Sequence, residues 1–334
     1  MNRCAFSDGI KDRIILFFIL TTDMNPLGLP PRLPIARYRL TFLLTHDLRL
    51  PSNAASTLRG VFGHALLAAA CTCPKPESPH RASCPYAQIF EPSPCGILPA
   101  NVRQSPPPPY LIETPPVAPT HFPAGADYQF DLVLFGQARH SLPLIAAAFS
   151  QAFAKGVGTG NAGKGRLVQV AVQQEDGSFL TVGGNGSPIM LHENSITLPE
   201  YYPEHALIQL VTPLQIRQKG KVLRETELTQ EIFLRQLMRR YLTLARLHWH
   251  HDTDSAALSA QISGSSLQPQ LSWHECNRFS NRQKQKTPLG GVVGTWELTR
   301  LSPAFSQMLY IGQWLHLGKE TVFGNGQYRI IRAG

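Results

Sequence analysis

LPLIAAAFSQAFAKGVGTGNAGKGRLVQVAVQQ, residues 142–174, predicts a helix, a glycine-rich turn and a strand in that order. Apolar residues follow helical spacing up to Lys155 and alternate from Gly165 onward. Gly158, Gly163 and Lys164 fit the G-x-x-x-x-G-K frame of a nucleotide-triphosphate loop. That loop requires Ser or Thr next, with a strand before it and a helix after it. Gly165 comes next instead and the order is reversed, so the pattern argues against ATP binding.

The two halves of the chain share this ending. The first half predicts a strand, a helix, a Pro-rich irregular segment at 71–126, a strand, and then the helix, turn and strand quoted above. The second half repeats the plan. Its segments are HALIQLVTPLQIRQKGKVL (205–223), ELTQEIFLRQLMRRYLTLARLHW (227–249), GGVVGTWELTRL (290–301), SPAFSQMLYIGQWLHLG (302–318) and QYRIIR (327–332). A β-α-β-β-α-β unit used twice accounts for the symmetry. We therefore expect domains at 36–200 and 201–334, with the boundary near 195–204.

Composition allows two buried cores and suggests a polyanionic partner. The chain has 334 residues, 43% of them hydrophobic, and a formal net charge of +9. Such a charge excess is typical of nucleic-acid-binding proteins. A basic protein without such a partner is the alternative.

Residues 1–35 are interpreted as an N-terminal extension, with Met24 as an alternative start. Its apolar run IILFFIL (14–20) lacks a small-residue cleavage site after it and is too short to span a bilayer. We expect a cytoplasmic protein that does not engage a membrane.

Four of the six cysteines lie close together in sequence, with His80 among them. Zinc takes four Cys or His ligands, usually from two close pairs, whereas the gaps here are irregular. The alternatives are a weak zinc site and reduced thiols in a Pro- and Ser-rich loop. The candidate ligands are Cys71, Cys73, Cys84 and Cys95.

Five segments carry a resemblance to a known family. They are LRGVFGHALL (58–67), CPYAQIFEP (84–92), LVTPLQIRQKGK (210–221), RFSNRQKQKTPLGGVVG (278–294) and LHLGKETVFGNGQYRI (315–330). With them the chain resembles the CRISPR-associated endoribonucleases of the RAMP superfamily, in the branch that cuts CRISPR precursor RNA within its repeats. The resemblance implies an α+β fold of two tandem ferredoxin-like (RRM-like) domains with a C-terminal glycine-rich loop. It also implies RNA lying against the cleft and that loop.

The activity implied is metal-independent RNA cleavage. The 2′-hydroxyl beside the scissile phosphate would attack it, leaving a 2′,3′-cyclic phosphate, and the product hairpin would stay bound. No cofactor is expected. The partners implied are a CRISPR repeat RNA hairpin and other subunits of a CRISPR ribonucleoprotein complex. A non-catalytic RNA-binding subunit of such a complex is the alternative, and a zinc-dependent nuclease using the cysteine segment is a third.

Histidine suits the general base, because its pKa lies near neutrality, and Arg or Lys suits the developing negative charge. His64 lies on the first predicted helix, five residues after Arg59, His80 lies in the following loop, and His46 follows the first strand. These four residues are the catalytic candidates.

The predicted RNA-binding residues fall in two groups. The terminal motif would offer backbone N–H groups and charge to a phosphate. Basic residues of the second half would contact the RNA backbone. The two groups are His316, Gly318, Lys319, Gly324 and Gly326, and Arg239, Arg240, Arg278, Arg282, Lys284 and Lys286, with Arg217, Lys219 and Lys221 as further possibilities. HWHHD (248–252) is interpreted as a structural helix end rather than a metal site.

Overall fold

The structure is a computed structural model of the chain. The described residues are 25–73, 80–92, 106–115, 119–190, 195–263, 269–275, 277–280 and 285–333.

The first domain is a five-stranded antiparallel sheet with two main helices. Its strands are Ile35–Leu44, Tyr110–Glu113, Asp127–Phe135, Gly165–Gln173 and Phe179–Gly183. Their order across the sheet is second, third, first, fourth, fifth. Helix α1 (Ala54–Ala70) joins the first two strands, and a short helix α2 (Pro85–Ile89) follows it. Helix α3 (Leu142–Lys155) joins the third and fourth strands.

The second domain has the same order of elements. Its strands are Ala206–Leu214, Gln270–His274, Gly291–Leu298 and Tyr328–Ala333, again ordered second, third, first, fourth. Helix α4 (Gln230–His248) follows the first strand, with a short α5 (Ser255–Ala260) after it. Helix α6 (Pro303–Leu315) precedes the fourth strand. The predicted fold class, two tandem ferredoxin-like domains with a C-terminal glycine-rich loop, is confirmed.

Short elements complete the chain. The two-residue strands are Arg32–Leu33, Leu48–Arg49, His121–Phe122, Ile196–Thr197, Arg217–Gln218 and Lys221–Val222. A hairpin pairs Asn277–Ser280 with Gln285–Pro288. The 3-10 turns are Gly136–Ser141, Thr159–Asn161, Glu225–Glu227 and Thr321–Phe323.

The helices begin where the sequence provides caps. The Asn53 side chain accepts the Ser56 N–H at 2.9 Å at the start of α1. Ser302 caps α6, with Pro303 in the first turn, where no N–H donor is needed. Helix α4 starts at Thr229, whose side chain accepts the Ile232 N–H.

Each domain has an aromatic core. In the first, the Phe42 and Phe153 rings stack with centroids 3.9 Å apart, and Phe62 stacks on Phe149 at 4.6 Å. These contacts hold α1 and α3 on the sheet, because offset-stacked rings add to the stabilisation from apolar burial.

The domains share a buried surface. Ile35, Leu111 and Phe135, from the first sheet, belong to the same buried cluster as Ile311 and Leu315 of α6. One end of the second face of the first sheet is therefore covered by the second domain, which places the C-terminal glycine-rich loop beside the first domain.

Two expectations from the sequence are wrong. The segment 71–126 contributes a core strand, because Tyr110, Leu111 and Ile112 are fully buried and pair with the third strand. The other concerns the extension predicted over 1–35, whose end is packed against the two domains instead of standing apart from them. There, Leu33 pairs with Ile196 and the Leu27 N–H donates to Gln307 of α6 at 3.1 Å.

Residues 1–24, with the apolar run, lie outside the described residues. In the part of the chain that the structure describes, no helix has both the length and the apolar character needed to cross a membrane.

Candidate nucleic-acid interface

A cleft of about 620 Å³ lies where the two domains meet. Arg59 of α1 and Pro107–Pro108 line it from the first domain, while α4, the segment 215–217 and the loop 318–323 line it from the second. The Thr321–Phe323 turn contacts both α1 and the strand Tyr110–Glu113. The cleft is therefore built jointly by both halves of the chain.

The lining is strongly basic. Its cationic residues are Arg59, Arg217, Arg239, Arg240 and Lys319, whereas its one acidic residue is Glu320. Arg217, Arg239 and Lys319 are exposed. Clefts lined by one sign of charge concentrate ligands of the opposite sign, so this cleft favours a polyanion.

Arg240 is a half-buried cation of the cleft. Its Nε and Nη2 donate to the Leu315 carbonyl oxygen at 3.1 and 2.9 Å, at the end of α6. Among the described residues it forms no ion pair with an acidic side chain. Burial lowers the pKa of Arg240 to about 10, which leaves the guanidinium charged at neutral pH. A buried charge without a counter-ion is costly, and a bound phosphate would offset that cost.

Arg59 is held by aromatic rings from both domains. Its Cζ lies 4.3 Å from the Phe90 ring centroid and 5.3 Å from that of Phe323. Its Nε has no hydrogen-bond partner among the described residues. The rings orient the guanidinium through cation–π contacts at the wall of the cleft.

The terminal glycines shape the loop rather than cradle an anion. Gly326 has φ +72°, and a Cβ there would lie 1.7 Å from the Leu317 oxygen. The N–H groups of Lys319, Gly324 and Gly326 already donate to backbone oxygens of Gln215, Thr321 and Pro213. The fold thus uses the N–H groups of Gly324 and Gly326, and RNA binding by these two glycines stays a prediction. Gly318 and Lys319 do line the cleft.

His316 lies in the interior, and its assignment to RNA binding stays a prediction. The ring is buried, and its Nε2 lies 2.8 Å from Glu113 Oε1. Arg37 Nε donates to Glu113 Oε2 at 2.7 Å, and Gln327 Nε2 donates to Oε1 at 3.2 Å. Burial raises the pKa of Glu113, but the Arg37 charge and the His316 hydrogen bond outweigh it and lower that pKa to about 2. This network joins the first sheet to the base of the terminal loop.

The three candidate catalytic histidines lie outside the cleft lining, whereas Arg59 lies within it. His64 is exposed on α1, five residues after Arg59. His46 is exposed in the turn after the first strand, with Nδ1 3.2 Å from Thr45 Oγ1. Next to it, His121 Nε2 lies 3.0 Å from Asp47 Oδ2.

His80 lies among cysteines. Its Nδ1 is 3.5 Å from the Cys71 Sγ, and the ligand atoms of Cys71, Cys73, His80 and Cys84 all lie within 4.8 Å of one another. Among the described residues this is the only group of three or more His, Cys, Asp or Glu residues with the spacing of a metal site. Cys95, the predicted fourth ligand, lies outside the described residues.

The remaining basic candidates divide by position. Arg278 and Lys286 lie on the two strands of the hairpin, where Arg278 pairs with Thr287 and Phe279 pairs with Lys286. Arg282 and Lys284 lie outside the described residues.

The HWHHD segment ends α4 at His248, in agreement with the structural interpretation. Burial lowers the pKa of His248 to about 4, so the ring is neutral near pH 7.

Sequence reasoning missed three residues of this region: Glu113, Phe90 and Phe323. Glu113 was assigned to the Pro-rich segment, and its partners are distant in sequence. Phe90 lies in CPYAQIFEP and Phe323 lies in the terminal motif, two of the segments that carry the family resemblance. Their position in these motifs is the sequence feature that could have identified them.

Two family models match the chain. Residues 33–198 match a family described as an N-terminal domain. Residues 208–328 match the family of the CRISPR-associated endoribonuclease Cas6. The predicted resemblance to CRISPR-associated RAMP endoribonucleases is confirmed. No curated protein matches the chain in sequence.

Solved structures of similar fold include Thermus thermophilus Cas6 in a product complex. That structure has a TM-score of 0.57 at 13% identity, covering 89% of this chain and 99% of that chain. A partial Cas6–RT–Cas1–Cas2 complex has a TM-score of 0.55 at 14% identity, covering 92% and 48%. A second Cas6 product complex has a TM-score of 0.50 at 15% identity, covering 89% and 99%. At these identities the likeness shows the fold.

Proposed function

We propose that this chain, which carries a Cas6-family endoribonuclease domain at residues 208–328, cuts CRISPR precursor RNA within its repeats without a catalytic metal ion. The observation that carries the proposal is Arg240. It is a charged, half-buried guanidinium without an acidic partner among the described residues, in a basic cleft between two RRM-like domains.

RNA would follow the cleft from α1 to α4. Arg217, Arg239 and Lys319 are exposed along its rim and suit the phosphates on either side of the cut. Phosphate contacts dominate the affinity of proteins for RNA hairpins, and shape contributes specificity. The cleft's positive charge is what supports a hairpin substrate and retention of the product.

The chemistry proposed is an in-line transesterification. The 2′-oxygen attacks the adjacent phosphorus while its proton passes to a base, and the bond from phosphorus to the 5′-oxygen breaks. The 5′-oxygen takes up a proton, so the products are a 2′,3′-cyclic phosphate and a 5′-hydroxyl. Arg59 and Arg240 stabilise the extra negative charge of the pentacoordinate phosphorus. His64 is the proposed base, with His46 as the second candidate, since both side chains are exposed and can be reached by RNA.

The absence of histidine from the cleft lining favours a second candidate function, a non-catalytic RNA-binding subunit. The two functions share the cleft and differ in the reaction. A catalytic chain must bring a proton acceptor to the 2′-hydroxyl, whereas a subunit needs only the cations.

Cleavage of modified RNA separates them. The protein is incubated in EDTA with the repeat RNA of its own CRISPR array and with the same RNA carrying a 2′-deoxy group before the cut. Cleavage of the first RNA alone supports the 2′-hydroxyl mechanism. Tight binding of both without cleavage supports the subunit, and cleavage of both would exclude the mechanism proposed.

A further inference from the structure

Four side chains converge where α1 ends and α2 begins. Cys71 is the C-terminal cap of α1, and Cys84 is the N-terminal cap of α2. Cys73 and His80 lie between them in sequence, and all four ligand atoms are within 4.8 Å of one another. The gaps of one, six and three residues do not form two regular pairs, so the fold rather than the spacing brings the ligands together.

The spacing suits a tetrahedral ion. Zinc bonds of about 2.3 Å to sulfur and about 2.0 Å to nitrogen place neighbouring ligand atoms roughly 3.5–3.8 Å apart in a tetrahedron. Cys71 Sγ and His80 Nδ1 are already 3.5 Å apart. Three thiolates and one imidazole are a common ligand set of structural zinc sites.

Surrounding groups orient the ligands. The Arg81 N–H donates to the Cys73 sulfur at 3.4 Å. Hydrogen bonds of this kind fix ligand geometry and partly neutralise thiolates around a metal.

We propose that Cys71, Cys73, His80 and Cys84 bind one Zn²⁺ ion as a structural site. Four protein ligands complete the tetrahedron and leave no position for a reactive water, so the ion does not act in RNA cleavage. It would replace the predicted set in which Cys95 is the fourth ligand, and it takes His80 out of the catalytic candidates.

The site would stabilise residues that position Arg59 in the cleft. Zinc would tie the end of α1 to α2, and α2 leads directly to Phe90. The Tyr86 ring contacts both the His80 ring, at 4.8 Å between centroids, and the Phe90 ring, at 5.4 Å. Phe90 in turn lies against Arg59. Loss of the ion should therefore make the position of the Arg59 guanidinium less fixed. The zinc proposal itself does not depend on the RNA function.

Metal content tests the proposal directly. The full chain is purified under reducing conditions without chelator, and bound zinc is measured by mass spectrometry of the elements. We expect about one zinc per chain, and a severalfold loss in His80→Ala and Cys84→Ser. Cys95→Ser and Cys276→Ser are the matched controls and should keep the metal. Circular dichroism checks that each variant is folded.

Cobalt gives a second readout that does not require a destabilised variant. Wild-type protein stripped of metal and loaded with Co²⁺ should show the intense visible absorption of a tetrahedral thiolate site. His80→Cys should retain the ion and strengthen the sulfur-to-cobalt charge-transfer band, which a merely packed histidine would not affect.

Three results would overturn the proposal. The first is wild-type protein that contains no zinc and gives an octahedral cobalt spectrum. The second is a metal-free protein with a Cys73–Cys84 disulfide in the reduced preparation, and the third is loss of zinc in Cys95→Ser but not in His80→Ala.

Discussion

Glu113 Oε1 lies 2.8 Å from His316 Nε2, and this buried pair connects the edge strand of the first domain to the loop that lines the cleft of the second. Arg37 completes the network with two hydrogen bonds to the same carboxylate, at 2.7 and 2.9 Å. This carboxylate therefore links the two domains at the base of the loop that lines the cleft.

Replacing that carboxylate should destabilise the protein strongly. Glu113→Ala leaves the Arg37 guanidinium buried without a counter-ion, which costs about 3–5 kcal/mol. The free energy of unfolding in urea measures the loss. Asp131→Ala removes the partner of Arg39, which is about a third exposed, and should cost less. Equal losses in the two variants would mean that burial does not set the cost.

The same carboxylate should make stability depend on acid pH. The folded-state pKa of Glu113 is about 2, below its ordinary value of 4.5. The ionised carboxylate therefore adds its full contribution to the free energy of unfolding above about pH 4.5. That contribution is lost as the pH falls from about 4.5 toward about 2. Unfolding free energies measured between pH 6 and pH 2.5 should fall more steeply in the wild type than in Glu113→Gln. Parallel curves would show that another group carries the dependence.

The terminal loop should be intolerant of side chains at Gly326. Gly326→Ala places a Cβ against the Leu317 oxygen, so the backbone must move, and we expect a loss of about 3 kcal/mol or more. Gly220→Ala is the control, because Gly220 also has positive φ, +83°, but open space around the Cβ position. It should cost about 1 kcal/mol from backbone strain alone. Thermal or urea unfolding measures the loss of stability in the two variants. Similar losses would contradict the conclusion that the close contact with the Leu317 oxygen sets the cost at Gly326.

Removal of the proposed base should affect cleavage and not binding. His64→Ala should slow single-turnover cleavage of repeat RNA by about 10²- to 10⁴-fold with little change in Kd. His205→Ala, an exposed histidine between the domains, serves as the control. Full activity in His64→Ala would move the assignment to His46, tested in the same way, and full activity in both would exclude histidine as proposed here.

Local pattern predicted most of the fold. The strand Asp127–Phe135 and helices α3, α4 and α6 follow from apolar periodicity and caps, because their cores are built from neighbouring residues in sequence. The strand Tyr110–Glu113 escaped detection, since four residues between proline runs carry too little periodicity.

The site was less visible because it depends on long-range contacts. Glu113 and His316 are 203 residues apart, and their pairing turns a predicted RNA ligand into an interior residue. Amphipathic spacing places Arg240 on α4, but only the packing of the two domains shows that its guanidinium reaches the Leu315 carbonyl in the cleft. Likewise, His80 was a catalytic candidate because it lies in the loop after the first helix, and only the fold brings its ring within 4.8 Å of three cysteine sulfurs.

The most direct test of RNA binding in the cleft compares two arginines one helical turn apart on α4. Arg239 lines the cleft, whereas Arg235 pairs with Glu231 at 2.9 Å outside it. The measurement is Kd for the repeat hairpin as a function of salt concentration. In Arg239→Ala we expect weaker binding and a slope of log Kd against log salt smaller by about 0.7–0.9, the loss of one phosphate contact, with Arg235→Ala unchanged. An unchanged slope in Arg239→Ala, or the same effect in both variants, would contradict an RNA path through the cleft.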